Sequence, residues 1–124
     1  MTPILLKGTV VRGRGLRLRF PTATLQVSYQ SSQEIAEGVY ASRMLVDGVS
    51  REAVTSVGVA VSVGAAESTV ETNLLDFTGD LVGKEVELEL VAFLRPMEHF
   101  SSLEELEEAI ARDREQGRRI LESI

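Results

Sequence analysis

The stretch "KEVELELVAFL" (Lys84–Leu94) carries the clearest local signal of secondary structure in this 124-residue chain. Val86, Leu88 and Leu90 alternate with glutamates, so that apolar side chains recur at every second residue. A period of two residues is typical of a β-strand that buries one face and exposes the other. We therefore predict a half-buried strand across Lys84–Leu94.

The segment after this strand changes to the spacing of a helix. Ser102 lies three residues before Glu105, a capping-box pattern that marks a helix N-terminus. Apolar residues then recur on one side, which predicts one amphipathic helix over about 102–122 that lies against the strands. Gly117 lowers the helix propensity by about 1 kcal/mol relative to alanine, so the last turn is expected to bend or fray.

Further strands are predicted upstream. Runs rich in β-branched residues and bounded by glycine or charged residues occupy Ile4–Gly13, Gly38–Gly48, Arg51–Val63 and Ser68–Phe77. Asp47 and Gly48 favour a tight hairpin turn. The polar segment Leu25–Gly38 lacks a clear period and is interpreted as a long loop. Five or six short strands with hairpin spacing favour a mainly β fold, a small closed antiparallel barrel over about 4–94 with one C-terminal α-helix.

Composition limits the functions open to this fold. With 124 residues, of which 44% are hydrophobic, the chain fits a single domain over 1–124. It has no cysteine, which excludes thiolate chemistry, and its single histidine, His99, is interpreted as structural. The net charge of -6 argues against a nucleic-acid partner. No apolar run reaches the length of a membrane span, so we expect no membrane partner. The lack of cysteine suits a reducing cytoplasm, where we expect the chain to be a monomer.

Four motifs occur in an order and spacing that resemble one family. They are "FPTA" (20–23), "GVYA" (38–41), "VET" with "LLDF" (70–77), and "FLRP" followed by "FSSLEEL" (93–106). This set resembles the riboflavin kinases, found as the C-terminal module of bacterial bifunctional FAD synthetases and as stand-alone eukaryotic enzymes. The resemblance runs from about Leu6 to Leu121. It implies a six-stranded Greek-key barrel that uses ATP and Mg²⁺ to convert riboflavin into FMN.

The resemblance also implies the roles of individual residues. Glu71 matches the family's catalytic glutamate, which would accept a proton from the ribityl hydroxyl and so also contact the substrate. Thr22 and Thr24 match positions that meet the nucleotide phosphates and the metal ion. Phe20 is expected to contact riboflavin. The preceding phosphate loop contributes the remaining nucleotide-binding positions, which are Arg12, Gly13, Arg14 and Gly15.

Two positions depart from the family pattern. The family has asparagine where this chain has Thr24 and usually has glycine where it has Arg19, and the loop before Phe20 is shorter. Three hypotheses therefore stay open: an active riboflavin kinase, a catalytically impaired paralogue that binds flavin or nucleotide as a regulator, and a barrel with a structural role alone. In the structural interpretation, Glu71 is a solvated strand carboxylate and the arginines of 12–19 form a charged strand edge.

Overall fold

In the part of the chain that the structure describes, six strands form a closed barrel and one helix packs on its outside. The computed structural model describes residues 2–12, 20, 22–62 and 65–124. The elements are β1 (Ile4–Val11), β2 (Ala23–Gln30), β3 (Gly38–Val46), β4 (Val49–Ser62), β5 (Ala65–Leu74), β6 (Glu85–Arg95) and α1 (Leu103–Glu122). All strand pairs are antiparallel, and the strand order around the barrel is β1-β2-β5-β4-β3-β6. The consecutive strands β3, β4 and β5 are flanked by β2 and β6, which is a Greek-key arrangement. The predicted fold class is confirmed.

Strand β6 follows the predicted alternation. Val86, Leu88 and Leu90 are buried in the barrel core, and the glutamates between them face outward. Near its end the outer face becomes apolar as well, and there Val91 packs with Leu121 of α1. The helix lies against β3, β4 and β6. The barrel therefore has an inner core and a smaller outer core under the helix, as the sequence predicts.

The β3–β4 hairpin has the predicted turn at Asp47 and Gly48. Both residues have positive φ angles, 50° and 79°, and Val46 pairs directly with Val49. Two successive residues with positive φ define the turn type whose twist matches an antiparallel hairpin. Asp47 and Gly48 thus set the register between β3 and β4, which share nine paired positions.

The prediction of a loop over Leu25–Gly38 is wrong for its first part. β2 extends from Ala23 to Gln30 and pairs with β1 along most of its length. Leu25 is buried and Val27 packs against the same core, whereas Gln26 and Ser28 are exposed. Within the range predicted as a loop, only Leu25 and Val27 carry the alternation, and neighbouring strands supply the rest of the core. The serines and glutamines around them made the pattern too weak to predict a strand.

Helix α1 begins at the predicted cap. The hydroxyl of Ser102 accepts a hydrogen bond from the Glu105 backbone N–H at 3.1 Å. The Glu105 carboxylate accepts from the backbone N–H and the hydroxyl of Ser101, and these bonds lower the pKa of Glu105. The predicted N-cap at Ser102 is therefore confirmed, and the reciprocal hydrogen bonds to the Glu105 carboxylate come from Ser101. Within the described residues, no helix combines the length and the apolar character that crossing a bilayer requires.

Gly117 is a site of close packing between helix and barrel. The helix continues through it to Glu122, so the expected fraying at this position is not observed. A Cβ atom on Gly117 would lie 2.7 Å from Cγ1 of Val54 on β4. Glycine is therefore needed because the helix backbone approaches the barrel wall closely.

Gly117→Ala is expected to lower the free energy of unfolding by about 1 kcal/mol, because the added methyl group overpacks the contact with Val54. The same substitution at an exposed helical position would raise stability by a similar amount. Urea denaturation measures the effect in the wild type, in Gly117→Ala, in Val54→Ala and in the Gly117→Ala/Val54→Ala double variant. The double variant should lose less stability than the sum of the singles, and additive losses would contradict this account.

Candidate active site

Glu71 lies on the outer face of the barrel in β5. Its neighbours Val70 and Thr72 point into the core and are buried, whereas Glu71 is half-buried. Glu71 pairs with Thr24 of β2 on one side and with Ser56 of β4 on the other. Directly paired residues of antiparallel strands project from the same face of the sheet. The structure therefore places two predicted site residues, Glu71 and Thr24, side by side.

Thr22 is exposed and lies just before β2. Its hydroxyl donates a hydrogen bond to the carbonyl of Phe20 at 3.3 Å. Thr22 also lines a pocket together with Arg12. The other predicted residues of the phosphate loop, Gly13, Arg14 and Gly15, lie outside the described residues, as does the divergent Arg19.

The pocket beside Thr22 has a volume of about 160 Å³. It lies at the end of the barrel where β1 ends and β2 begins, next to the β5–β6 connection. Arg12, Thr22 and Ala23 contribute from the first connection and from the start of β2. The β5–β6 connection and the barrel core contribute the remaining lining residues, which are Phe77, Gly79, Asp80, Leu81, Val82, Val10, Val11, Thr72 and Leu74. The lining combines apolar residues with Thr22, Arg12 and Asp80, which suits a ligand with both a ring and polar groups.

The inner and outer faces of β5 have different polar roles. Thr72 belongs to a fully buried chain of hydroxyls in which Ser42 and Thr55 are 2.8 Å apart and Thr55 and Thr72 are 3.0 Å apart. This chain links β3, β4 and β5 inside the barrel and leaves no hydroxyl without a partner. Thr72 also lines the pocket, whereas Glu71, one residue away, faces outward and pairs with Thr24.

The carboxylates near the pocket are engaged in turn and surface contacts. Asp80 accepts a hydrogen bond from the backbone N–H of Val82 at 2.9 Å. Asp76 pairs with Arg118 at 2.9 Å, and the hydrogen bond from Arg118 lowers the pKa of Asp76. In the part of the chain that the structure describes, no cluster of three or more histidine and acidic side chains could hold a metal ion. A metal at this site would need ligands from hydroxyls and from the bound nucleotide.

The segment after β6 is fixed to the helix by a buried ion pair. Nε and Nη2 of Arg95 donate to the two carboxylate oxygens of Asp113, both at 2.8 Å, and Asp113 is only 5% exposed. The hydrogen bonds that Arg95 donates to Asp113 raise the pKa of Arg95. The Arg95 guanidinium also lies 5.7 Å from the ring of Phe100. The pair thus holds both ends of the 95–100 segment close to α1.

The first half of α1 leaves apolar surface uncovered. Leu103 is 50% exposed, and Phe93 and Met97 are each 46% exposed. Met97 packs on Gly58 of β4. A Cβ atom on Gly58 would lie 3.3 Å from the terminal methyl group of Met97. Apolar side chains at the end of β6, in the following segment and at the start of α1 are therefore about half exposed.

Arg114 is a site residue that the sequence analysis missed. Its guanidinium lies 4.7 Å from the ring centroid of Phe20 and donates hydrogen bonds to the end of β5. The one signal in the sequence is its spacing, since Arg114 follows Ile110 by four residues and therefore interrupts the apolar side of the helix.

The fold and the site define a class of small Greek-key barrel proteins in which a strand carboxylate lies beside a pocket at the barrel end. The sequence model described as "Flavokinase: Riboflavin kinase" matches residues 1–121. The chain is 34% identical over 116 residues to a trifunctional protein RibF/MnmA of Mycoplasmoides gallisepticum, covering 92% of this chain and 18% of the relative. It is 34% identical over 114 residues to the bifunctional riboflavin kinase/FMN adenylyltransferase of Escherichia coli K12, covering 90% and 36%.

A solved structure has the same fold. The riboflavin kinase from Trypanosoma brucei superimposes with a TM-score of 0.64 at 24% sequence identity, covering 98% of this chain and 82% of that one. The chain spans less than half the length of the curated relatives that it matches. The chain belongs to the riboflavin kinase family.

Asp113→Asn is expected to lower the free energy of unfolding by about 3 kcal/mol, because it leaves the Arg95 charge partly buried without a counter-charge. Asp76→Asn is the matched control, since it breaks an exposed arginine pair and should cost less than about 1 kcal/mol. Thermal and urea unfolding measure both. Equal losses in the two variants would show that the Arg95–Asp113 pair does not hold the helix.

Proposed function

We propose that the protein is a riboflavin kinase that transfers the γ-phosphoryl group of ATP to the 5′-hydroxyl of riboflavin, giving FMN and ADP. The observation that carries this proposal is the pairing of Glu71 with Thr24 beside the pocket that Thr22 and Arg12 line. Glu71 and Thr24 thus lie on adjacent strands, and Thr22 directly precedes the strand that carries Thr24. Membership of the riboflavin kinase family supports the same reaction.

Glu71 is proposed to act as the general base. The ribityl oxygen forms a bond to the γ-phosphorus while the bond from that phosphorus to the β–γ bridging oxygen breaks and ADP leaves. The hydroxyl proton passes to the Glu71 carboxylate. Because phosphoryl transfer depends mainly on positioning and charge stabilisation, the base has to be held in line with the phosphate rather than be strongly basic. Its place on a strand within a closed barrel provides that rigidity.

The nucleotide is proposed to occupy the pocket at the barrel end. Its base and sugar would lie against the β5–β6 connection, and its phosphates would lie toward Arg12 and Thr22. The hydroxyls of Thr22 and Thr24 suit Mg²⁺, which takes few protein ligands when phosphate oxygens supply others. When bound, Mg²⁺ would neutralise phosphate charge. Arg12 would add a fork of N–H donors to phosphate oxygens.

Riboflavin is proposed to lie between the barrel and the first half of α1, with its ribityl chain directed toward Glu71. The apolar surface of Phe93, Met97 and Leu103 supports this placement, because a flat aromatic ring system needs such a surface. Phe20 would contact riboflavin from the opposite side, toward Thr22. Together these positions put the acceptor and the donor on either side of Glu71.

A second candidate is a catalytically impaired paralogue that binds flavin or nucleotide as a regulator. Thr24 favours it, because threonine lacks the amide that the family has at this position and reaches less far toward a phosphate. Arg19 adds a bulky charged side chain where the family has glycine.

We also propose that the chain acts as a single domain and as a cytoplasmic monomer that binds no nucleic acid or membrane.

The reaction is tested by chromatography of FMN and ADP after incubation of the purified chain with riboflavin, ATP and Mg²⁺. Equal amounts of the two products support the kinase. Calorimetric binding of riboflavin or ADP without any FMN would instead favour the impaired paralogue. Folded protein that binds neither ligand would leave the structural hypothesis.

Glu71→Gln is expected to lower kcat about 100-fold or more, the typical contribution of a general base, while riboflavin affinity stays within about twofold. Glutamine keeps the side-chain length and removes the proton acceptor. Single-turnover kinetics and calorimetry measure the two effects separately. Turnover that stays at the wild-type level would refute the role of Glu71 as the base.

Thr24→Asn restores the family residue and is expected to tighten Mg-ATP binding or raise kcat/KM, because the amide oxygen reaches farther toward a phosphate or metal. Thr9→Asn is a matched control on β1, since Thr9 pairs with Gln26 and Glu85 and not with Glu71. Steady-state kinetics at varied Mg-ATP test both variants. Lower activity in Thr24→Asn, with Thr9→Asn unchanged, would mean that the chain has its own phosphate geometry.

A further inference from the structure

Arg114 connects α1 to two parts of the candidate site through one guanidinium. Nη1 donates to the side-chain oxygen of Asn73 and, at 3.0 Å, to the carbonyl of Leu74. Nη2 donates to the carbonyl of Leu75 at 2.7 Å. The guanidinium plane also lies over Phe20, 4.7 Å from its ring centroid. Few side chains other than arginine could make all four contacts, because they require a planar group with a fork of donors.

The partners of Arg114 are unusual for a charged group. Arg118 and Arg119 of the same helix pair with the carboxylates of Asp76 and Glu115. In the described part of the chain, Arg114 forms no such pair, and its hydrogen bonds go to an amide and two backbone carbonyls. It is half-buried, and burial lowers its pKa. Partial burial of the Arg114 cation costs desolvation energy, and its neutral hydrogen-bond acceptors offset only part of that cost. A side chain that only attached the helix to the barrel would not need a charged group at this position.

On the β5 side, Arg114 fixes the backbone on which the site depends. Asn73 is two residues after Glu71 and lies on the same outer face of the strand. Leu75 is the first residue after β5, and the connection that starts there continues to Phe77 in the wall of the pocket. The guanidinium therefore holds both the strand that carries Glu71 and the segment that borders the proposed nucleotide position.

On the β2 side, Arg114 fixes the approach to Thr22. The ring of Phe20 packs under the guanidinium, and the Phe20 carbonyl accepts the hydrogen bond from the Thr22 hydroxyl. A shift of Phe20 would therefore move the hydroxyl that is proposed to face the phosphates. Arg114 bridges the two segments from the outside, at the place where β2 and β5 share only three paired positions.

We propose that Arg114 is a positioning residue for phosphoryl transfer, which holds Phe20, its hydrogen-bond partner Thr22 and the end of β5 in their relative places. This inference rests on the proposed kinase function for its kinetic consequences and on geometry alone for its structural ones. Because misplacement of reacting groups by about 1 Å lowers rates strongly, loss of Arg114 should lower kcat about tenfold and raise KM for Mg-ATP several-fold. KM for riboflavin should change less than KM for Mg-ATP. Of the residues proposed to contact riboflavin, Phe20 packs on Arg114, whereas Leu103 lies eleven residues earlier in α1.

The test compares Arg114→Met, Arg114→Lys and Arg119→Met. Methionine keeps an unbranched apolar chain without donors, and lysine keeps the charge without the planar fork. Arg119 is a matched control on the same helix, since its side chain is 74% exposed and pairs with Glu115. Kinetics with each substrate varied in turn, together with urea denaturation, separate a loss of positioning from a loss of folded protein. We expect Arg114→Met to show the kcat and Mg-ATP effects, Arg114→Lys to recover little, and Arg119→Met to resemble the wild type.

Backbone amide NMR tests the structural part whether or not the wild type makes FMN. The Thr22, Leu75 and Phe77 amide resonances should shift in both Arg114 variants and stay in place in Arg119→Met. If the wild type makes no FMN, the proposed function fails while these resonances still decide the role of Arg114. An unchanged Thr22 resonance, or equal kinetic losses for both substrates in proportion to unfolded protein, would overturn the positioning role.

Discussion

The structure depends on a short seam in which Ala23–Leu25 of β2 pairs with Val70–Thr72 of β5. β2 already pairs with β1, and β5 already pairs with β4. This seam closes the barrel and pairs the edges of β2 and β5 that would be exposed in an open sheet. The other strand pairs are longer, and β4 with β5 alone has ten paired positions. The seam is therefore the least redundant part of the barrel, yet it is the part that places Thr24 opposite Glu71. Barrel closure and assembly of the candidate site are one structural event.

The sequence predicted those elements whose signals are local. The alternation around Leu88, the Asp47-Gly48 turn and the Ser102 cap each depend on residues a few positions apart, and all three are confirmed. Strand β2 was missed because its pairing partners are remote in sequence and its inward-facing apolar residues are only Ala23, Leu25 and Val27. A strand that gains most of its stability from neighbours leaves a weak pattern in its own residues.

The candidate site was predictable as a set of motif residues and not as an arrangement. The motifs indicated Glu71 and Thr24, and the strand register adds that they are paired across the seam. Asp113, Arg114 and Gly117 could not be found by looking for an apolar helix face, because they occupy that face with a carboxylate, a guanidinium and no side chain. Each one meets a specific partner on the barrel, which is information that helical periodicity does not contain.

These polar contacts determine where the helix sits along the barrel. The apolar contacts of Leu121 with Val91 and Ala41 are non-directional and would tolerate a small slide of α1. Successive helical residues point about 100° apart, so Asp113 and Arg114 reach different elements, the first toward β6 and the second toward β5. A rotation that preserved one contact would break the other. Because Asp113 holds the segment bordering the proposed flavin surface and Arg114 holds the end of β5 that borders the pocket, α1 sets the distance between the two halves of the site.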